Sequence, residues 1–396
     1  MAHVIHGLAA LRNNKDWQQR IKGNVGYLCN SASVDCDLTH GITVLKKLFG
    51  NRFKKVFSPQ HGLFAEQQDN MLESPHFEHP YFALKVYSLY SETRAPKLEW
   101  LEDLDHLIVD LQDVGTRVYT YIYSLALTMA ECKKAGVEVV VLDRPNPVGG
   151  KAVEGNVLDM KFSSFVGMYK LPMRHGLTIG EFALMANKYF SIGCKLTVIP
   201  LKNWKRSMSF IHTELPWVLP SPNLPNPETA FIYPGSVLFE GTNLSEGRGT
   251  VKSLEVIGHP EIEPFSLAPE LQAKANDAGL KGFTLRPITF LPTFQKYKKI
   301  NCGGFQIHVT DFVQFKPWHT GQLLMRELYH YLGQSFEWNP PPYEYEYDKL
   351  PIDILNGTDK IRKWIEKNGS INELINIENQ GMDDYMGKRE SVLLYT

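Results

Sequence analysis

Two apolar runs in the first half of the chain limit most strictly what it can fold into. Residues 106–111 (HLIVDL) and 137–142 (VEVVVL) carry apolar side chains on both faces of an extended segment. Strands of this kind lie inside a parallel sheet that helices cover on both sides. A helical pattern over residues 116–135 separates them, as a strand–helix–strand crossover requires. The two runs therefore predict a parallel α/β sheet.

The rest of the chain extends this pattern and then changes it. Further strand candidates lie at residues 24–30, 54–58, 84–89 and 195–200, with helix candidates at residues 40–49 and 177–190. This alternation predicts a doubly wound parallel sheet. Beyond it, strand candidates lie at residues 253–257, 283–291 and 304–310, and helix candidates at residues 267–278, 319–332, 358–367 and 371–380. Because 396 residues exceed the usual size of one core, we expect an N-terminal domain over residues 1–251 and a smaller C-terminal α/β domain over residues 252–396.

Polar motifs follow four of the predicted strands. They begin at Asn30, Ser58, Gln112 and Asp143. Open α/β sheets bind ligands in the crevice beyond the carboxyl ends of their strands, so four converging motifs favour a site there. Any one motif alone is more typical of a turn, and Asp113 in particular could cap the helix that follows it. The candidate site residues in these motifs are Gln60, His61, Asp113, Arg117, Tyr121, Arg144 and Asn146.

A second polar region, residues 233–250, carries two carboxylates six residues apart. Pro234 suits the first position of a short helix, which Gly241 would end. Carboxylates beside neutral hydrogen-bonding groups and one cation suit acid–base chemistry on an uncharged, hydroxyl-rich substrate. A turn with a surface ion pair is the alternative interpretation. The candidate residues of this region are Glu240, Glu246, Asn243 and Arg248.

Three further segments can contribute walls to such a site. Arg174 and His175 precede a predicted helix, although a structural histidine is the simpler interpretation. The proline-rich segment 216–227 carries Asn223 and predicts a stiff spacer, a rigid wall of the site, or both. The stretch 338–347 (WNPPPYEYEY) can offer aromatic platforms to a sugar or form a packed surface loop.

Charge and motif content argue against several classes of function. The 42 Lys and Arg residues nearly balance the 43 Asp and Glu residues, so no nucleic acid or acidic membrane surface is indicated as a partner. The chain contains no phosphate loop, no complete dinucleotide fingerprint and no serine-hydrolase elbow. His76 and His79 have a spacing seen in metal sites, but that spacing is too common to predict a metal.

The N-terminus and the cysteines indicate the compartment. The first residues lack the basic start, apolar core and small-residue cleavage site of a secretory signal. No later apolar run is long enough to span a membrane. The five cysteines are odd in number and scattered, which favours reduced thiols. We therefore expect a cytoplasmic protein without a membrane partner.

The polar motifs also occur in an informative order. Along the chain they read SPQHG, DLQDVGTRVYTY, LDRPNPVGG, PMRHGLTIGE, PSPNLPNPE and YPGSVLFEGTNLSEGRGT. Over nearly the whole chain this order resembles the peptidoglycan exo-β-N-acetylmuramidases of the NamZ type, long catalogued as a domain of unknown function. The resemblance implies a Rossmann-like N-terminal domain, a smaller C-terminal α/β domain and a cleft between them. It also implies release of N-acetylmuramic acid from the non-reducing ends of peptidoglycan fragments, with no metal or organic cofactor.

A glycosidase of this kind gives each candidate residue an expected role. Cleavage usually needs a protonated carboxyl at the leaving oxygen, and we expect it in the pair Glu246 and Glu240, with Asp113 as the third candidate. The substrate's own 2-acetamido group can replace a protein nucleophile, so a second essential carboxylate is not required. Arg117, Arg174 or Arg248 would bind the lactyl carboxylate, since a fork of donors matches a carboxylate. The other substrate-binding candidates are Gln60, His61, Tyr121, Arg144, Asn146, His175, Asn223 and Asn243.

One motif departs from the family pattern. Members commonly read Pro-Glu-His-Gly where this chain reads Pro59-Gln60-His61-Gly62. An amide does not titrate usefully, so Gln60 cannot transfer a proton. If that glutamate is the family's acid, Glu66 can substitute for it, or the acid is Glu240 or Glu246. Two alternatives to a muramidase stay open: a non-catalytic or retuned muramyl-sugar-binding protein, and a different hydrolase acting on amino sugars.

Overall fold

The larger of two sheets holds seven strands, most of them parallel. In this computed structural model, which describes residues 3–68 and 71–396, the sheet order is β3-β4-β2-β1-β5-β6-β7. All neighbours pair in parallel except the edge strand β3, which is antiparallel to β4. The strands are β1 (Val25–Cys29), β2 (Phe53–Ser58), β3 (Phe77–His79), β4 (Leu84–Ser88), β5 (His106–Asp110), β6 (Glu138–Leu142) and β7 (Leu196–Ile199). Without β3, the order runs outward from β1 in both directions, so the predicted doubly wound, Rossmann-like sheet is confirmed.

The apolar runs form the centre of this sheet because both of their faces are covered. Every residue of β5 is buried. Leu107 and Val109 join one hydrophobic cluster, while Ile108 between them joins a second cluster on the opposite face. The side chains of a strand alternate between faces, so the two clusters are the two helix-covered layers.

The helices begin and end close to the predicted positions in most cases. They are α1 (Gly7–Asn13), α2 (Lys15–Arg20), α3 (Gly41–Phe49), α4 (Tyr121–Ala135), α5 (Ile179–Tyr189), α6 (Pro227–Ser236), α7 (Pro264–Asp277), α8 (Pro317–Leu332), α9 (Pro351–Asn356), α10 (Lys360–Glu366), α11 (Ile371–Glu378) and α12 (Met382–Glu390). Helix α4 begins five residues later than predicted, because Asp113 closes a turn by accepting the N–H of Gly115 at 2.7 Å. The sequence patterns missed β3, α9 and α12.

The helix predicted to begin at Pro234 begins seven residues earlier. Asn226 caps α6 by accepting the N–H of Thr229 at 2.9 Å, and Pro227 occupies the first turn. Pro234 lies inside the helix, so its assignment to the first position was wrong. An Asn-Pro pair is a helix-start signal, and it lay hidden in the proline-rich segment. The predicted end is confirmed, since a 3₁₀ turn continues α6 over Val237–Gly241.

A second, smaller sheet follows and packs against α6 and α7. It holds β8 (Val256–His259), β9 (Phe283–Phe290) and β10 (Cys302–Val309), all antiparallel, in the order β8-β10-β9. Helices α6 and α8 cross closely at Gly235 and Gly321, where a Cβ atom on either glycine would overlap the facing backbone. The division into domains at residue 251 stays a prediction. In the part of the chain that the structure describes, no helix has the length and apolar character to cross a membrane. The expected cytoplasmic location stays a prediction.

A buried histidine links the segment after β6 to the C-terminal helices. His319 of α8 lies 3.0 Å from Glu154 through Nδ1 and 2.9 Å from Glu378 of α11 through Nε2. Burial disfavours its charge, but hydrogen bonds to the two carboxylates outweigh burial and raise the pKa of His319 to about 9. Its positive charge therefore joins three separate segments.

We predict that His319→Gln destabilises the protein most at low pH. An unfolded histidine titrates near 6.5, so the stabilisation from the charged ring is complete below that pH and is lost as the pH rises through 9. The variant should lose about 3 kcal/mol at pH 6 and much less at pH 9.5, in urea unfolding measured against His308→Gln at a half-buried histidine of β10. Equal losses at both pH values would contradict stabilisation by a positively charged His319.

Candidate active site

A cavity lies where the loops after β2 and β5 meet the end of α6 and the loop before α9. Its volume is about 460 Å³, counting its open mouth. Only His61 and Tyr343 among its lining residues are partly exposed, which places the mouth beside them. The lining residues are Gln60, His61, Val118, Tyr119, Thr120, Val166, Ser221, Asn223, Leu224, Tyr233, Glu240, Arg248, Leu254, Tyr343 and Glu344.

Glu344 is a buried carboxyl group in this cavity that the sequence analysis did not single out. Tyr90 donates its hydroxyl to Oε2 at 2.9 Å, and the amide nitrogen of Gln60 lies 3.4 Å from Oε1. Burial, with the nearby charge of Glu240, raises the pKa of Glu344 to about 7, although these two hydrogen bonds oppose the shift. Glu344 therefore retains its proton over much of the neutral range.

Glu240, by contrast, is held in its ionised form. Burial opposes its charge, but the guanidinium group of Arg248 and the hydroxyl of Tyr343, at 2.7 Å from Oε2, outweigh burial and lower the pKa of Glu240. Arg248 donates through Nη2 to Glu240. The cavity thus combines a carboxyl group that keeps a proton with one that does not. Such a separation identifies a candidate acid and a candidate counter-charge.

Glu246 lies behind Arg248 and is not among the lining residues. Its Oε1 lies 3.2 Å from Nε of Arg248, and its Oε2 accepts from Nζ of Lys296 at 2.8 Å. Lys296 also donates to the carbonyl oxygens of Phe239 and Leu244, at 2.9 Å each. This arrangement fixes the direction in which Arg248 reaches the cavity. Glu246 is therefore placed to position a cavity residue.

Gln60 and His61 follow β2 and form one wall. The hydroxyl of Thr120 donates to Oε1 of Gln60 at 2.7 Å, which directs the amide nitrogen towards Glu344. His61 Nδ1 lies 2.7 Å from the carbonyl oxygen of Gln67, so Nδ1 carries the proton of the neutral ring. Burial, with the charge of Arg248, lowers the pKa of His61 to about 4. His61 therefore offers Nε2 as a hydrogen-bond acceptor at neutral pH.

The proline-rich segment forms the facing wall, as one of its two interpretations proposed. Ser221, Asn223 and Leu224 line the cavity. Asn223 Oδ1 accepts the hydroxyl of Ser253 at 3.1 Å, which fixes the amide. Neutral hydroxyl and amide groups on this side suit a sugar better than a phosphate or a peptide chain end.

Three of the predicted arginines lie outside the cavity. Arg117 is fully buried and donates to the carbonyl oxygens of Asn156, Leu171, Leu355 and Asn356 at 2.6–3.0 Å. Burial lowers its pKa to about 10. Arg144 is paired with Asp110 at the end of β5. Arg174 donates to the carbonyl oxygen of Val148 and stacks 4.9 Å from the ring centroid of Phe231.

Asp113, His175 and Asn146 form a buried group beneath the strand ends. His175 Nε2 lies 3.4 Å from Asp113 Oδ2, and its Nδ1 accepts the N–H of Leu177 at 3.2 Å. Asn146 donates to the carbonyl oxygen of Leu177 at 2.8 Å. These contacts join the motifs after β5 and β6 to the start of α5. They support the loops that carry the cavity residues.

Two further candidates and Glu66 also have local partners. Tyr121 donates to the carbonyl oxygen of Pro220, while its neighbour Tyr119 lines the cavity. Asn243 donates to the carbonyl oxygen of Ser335 at 2.8 Å. Glu66 accepts the N–H of Phe64 at 3.1 Å, which folds it back onto its own loop. None of the three is among the residues that line the cavity.

One group of described residues has the composition of a metal site. A ligand atom from each of His6, Asp35 and Cys36 lies within 4.8 Å of the others. However, His6 Nδ1 accepts the N–H of Ala9 at 3.4 Å, so Nε2 carries the proton and faces the sulphur of Cys36 at 3.6 Å. A metal would need that nitrogen deprotonated. The arrangement fits a helix cap with a weak hydrogen bond to sulphur.

Two family profiles match the chain. "Exo-beta-N-acetylmuramidase NamZ, N-terminal" matches residues 25–228, and "Exo-beta-N-acetylmuramidase NamZ, C-terminal" matches residues 231–395. The chain belongs to the NamZ family. The resemblance drawn from the motif order is therefore confirmed. The boundary between the two NamZ profiles places Glu240, Glu246 and Arg248 with the C-terminal part.

Proteins similar to this NamZ-family chain are known from sequence and structure. Over 381 residues it is 39% identical to peptidoglycan beta-N-acetylmuramidase NamZ of Bacillus subtilis strain 168, which covers 96% of this chain and 89% of that protein. A crystal structure of a DUF1343 family protein from Bacteroides fragilis has a TM-score of 0.86 at 28% identity, covering 100% of both chains. A second from the same organism has a TM-score of 0.76 at 28% identity, covering 100% of this chain and 99% of that one.

We predict that Arg117→Met reduces stability far more than Arg52→Met. Both arginines donate to backbone carbonyl groups, but the four acceptors of Arg117 are buried and lie in both halves of the chain. Losing their donors should lower the free energy of unfolding by about 3–5 kcal/mol in urea unfolding. A small loss of stability with a large loss of affinity for muramic acid would instead place Arg117 at the substrate.

Proposed function

We propose that this protein is an exo-β-N-acetylmuramidase that releases N-acetylmuramic acid from the non-reducing ends of peptidoglycan fragments. Membership of the NamZ family and the similarity to the B. subtilis enzyme support this function. The observation that carries the proposal is the pairing of Glu344 with Glu240 in one cavity, since the first keeps its proton near neutral pH and the second is ionised.

Glu344 is the general acid in this proposal. Glycosidic cleavage leaves an alkoxide unless a carboxylic acid protonates the bridging oxygen. A group whose pKa lies near the working pH is protonated in a useful fraction of molecules and still transfers its proton readily. Glu344 meets this condition, whereas the ionised Glu240 has no proton to give. Glu246 is enclosed by Arg248 and Lys296.

Glu240 and Arg248 supply fixed charge on the other wall. The sugar ring acquires positive charge as the glycosidic bond breaks, and an ionised carboxylate nearby stabilises it. Arg248 lines the cavity, whereas Arg117, Arg144 and Arg174 do not. Arg248 is therefore the arginine that we assign to the lactyl carboxylate of muramic acid.

Neutral groups complete the recognition of the sugar. His61 offers Nε2 as an acceptor, and Ser221, Asn223 and Tyr119 present hydroxyl and amide groups. The mouth beside His61 and Tyr343 leads into walls that are otherwise buried. A mouth at one side of otherwise buried walls suits the end of a glycan strand better than its middle, which fits release from a chain end.

We predict that Glu344→Gln loses activity in a way that depends on the leaving group. A sugar alkoxide needs the proton from Glu344, whereas a nitrophenolate leaves without it. The variant should lose about 10²- to 10⁴-fold in kcat on a MurNAc–GlcNAc disaccharide and much less on a nitrophenyl N-acetylmuraminide. Release of N-acetylmuramic acid and of nitrophenol, followed separately, measures both.

The matched control is Glu346→Gln in the same loop. Glu346 pairs with Lys349 at 2.8 Å and does not line the cavity, so this variant should retain wild-type rates. Equal losses on both substrates in Glu344→Gln would show that Glu344 supports the structure and does not donate the proton. Tight binding of the disaccharide by the wild type, without release of sugar, would identify a sugar-binding protein.

We also predict that Gln60→Glu shifts the pH dependence of activity. The amide nitrogen of Gln60 lies 3.4 Å from Glu344, so a carboxylate there would repel the ionised form of Glu344. The pair would retain one proton to higher pH. From the pKa of Glu344 we expect kcat/KM of the wild type to fall above about pH 7, and that of the variant should fall at least one pH unit later.

Thr120→Val serves as the control for position 60. It removes the hydroxyl that orients Gln60 but adds no charge, so it should alter kcat without moving the alkaline limb by a full unit. A higher kcat in Gln60→Glu that survives the additional change Glu344→Gln would assign the acid to position 60 and exclude Glu344.

A further inference from the structure

Five aromatic rings form a continuous strip beside the β2 loop and the edge strand β3. Phe64 lies 6.0 Å from Phe77 and 5.9 Å from His79 between ring centroids. Phe82 continues the strip at 4.8 Å from His79, and Tyr81 ends it at 4.9 Å from Phe82. We call these five residues the aromatic strip.

The aromatic strip is fixed on one side and open on the other. Phe77 and Phe82 pack against the hydrophobic cluster that contains β2 and β4. Phe64 is 55% exposed and Tyr81 is 84% exposed. Contiguous apolar surface of this kind on a folded protein marks an interaction site more often than chance exposure does. Phe77 and Phe82 are held in place before any partner binds, which reduces the entropy lost when a partner covers them.

The position of the aromatic strip relates it to the cavity. Phe64 follows His61, one of the two partly exposed residues at the cavity mouth, by three positions. Phe77 pairs with Val86 near the carboxyl end of β4, and His79 pairs with Leu84 at the other end. The Phe77 end of the strip therefore lies towards the sheet edge that carries the cavity. The strip leads away from the mouth along β3.

We propose that the aromatic strip binds the glycan strand on the leaving-group side of the scissile bond, a proposal that rests on the muramidase function. When the terminal sugar occupies the cavity, the rest of the strand must leave through the mouth. Pyranose rings present flat faces of C–H groups, and these pack on the electron-rich faces of aromatic rings. The exposed rings of Phe64 and Tyr81 offer such faces, while acetamido and hydroxyl groups stay in water.

The proposal predicts a dependence on strand length. Wild-type kcat/KM should be higher for strands of four or more sugars than for the MurNAc–GlcNAc disaccharide, because only longer strands reach the aromatic strip. Phe64→Ala and Tyr81→Ala should each lower kcat/KM on the longer strands about five- to tenfold. Both should leave the disaccharide and the nitrophenyl muraminide at wild-type rates. Phe265→Ala, at a 68% exposed ring on α7, is the matched control and should change nothing.

Three results would overturn the proposal. The first is an equal loss on all substrates, which would show a defect of the cavity. The second is unchanged activity of both variants on long strands. The third is a change from dimer to monomer in sedimentation of Tyr81→Ala, which would show that the aromatic strip is covered by a second copy through β3.

Binding of the glycan strand to the aromatic strip can also be tested if Glu344 is not the general acid. Binding of long strands to Glu344→Gln, measured by calorimetry, should weaken about five- to tenfold on adding Tyr81→Ala, whatever the rate of cleavage. Weakened binding, together with no cleavage by the wild type, would reject the muramidase function but would support glycan binding by the aromatic strip. Unchanged binding would reject glycan binding by the aromatic strip and would leave the muramidase function untouched.

Discussion

The guanidinium group of Arg248, enclosed by two buried carboxylates, determines the charge of the whole site. These carboxylates are Glu240 and Glu246, and Glu240 would be costly to ionise without the cation, since an isolated buried carboxylate takes up a proton instead. With Arg248 between them, Glu240 stays ionised, and its negative charge adds to the burial that raises the pKa of Glu344. One cation therefore separates the protonation states of two carboxyl groups in one cavity. Lys296 anchors the arrangement from the second sheet's side of the molecule.

The different protonation states of Glu240 and Glu344 require that the two halves of the chain keep a fixed position relative to each other. Gln60, Thr120 and Tyr90 come from the large sheet, whereas Glu344 comes from the loop before α9. Arg117 spans the halves with four hydrogen bonds to buried carbonyl groups, and His319 joins Glu154 to Glu378. A shift of one half by an ångström would separate Glu344 from Gln60 and Tyr90. Burying these charges costs free energy, but the charges also fix the relative positions of the segments that carry the cavity residues. Buried polar groups have this role in specifying a structure in some other proteins.

The sequence was sufficient to predict the large parallel sheet, because apolar runs such as residues 106–111 have few alternatives to a buried parallel strand. It also located the loops after β2 and β5 and the proline-rich wall. It could not show which polar residues face the cavity. Arg117 and Asp113 lie in the same motif as the cavity-lining Tyr119 and Thr120, yet turn geometry directs them into the interior. Glu344 was hidden because its role depends on burial by segments some 250 residues away in the chain, although its aromatic neighbours were a signal.

Gln60 influences the pKa of Glu344 through its side-chain amide. Its amide donates towards Glu344 and so favours the ionised form, which partly offsets the effects of burial and of Glu240. A carboxylate at the same position would add to those effects and keep Glu344 protonated well above neutral pH. The hydroxyl of Thr120 donates to the amide oxygen of Gln60 at 2.7 Å, and in this arrangement the amide nitrogen faces Glu344. Gln60 therefore leaves the acid in place, because its amide donates towards Glu344 and adds no second charge, so that the pKa of Glu344 stays near neutral and its proton stays transferable.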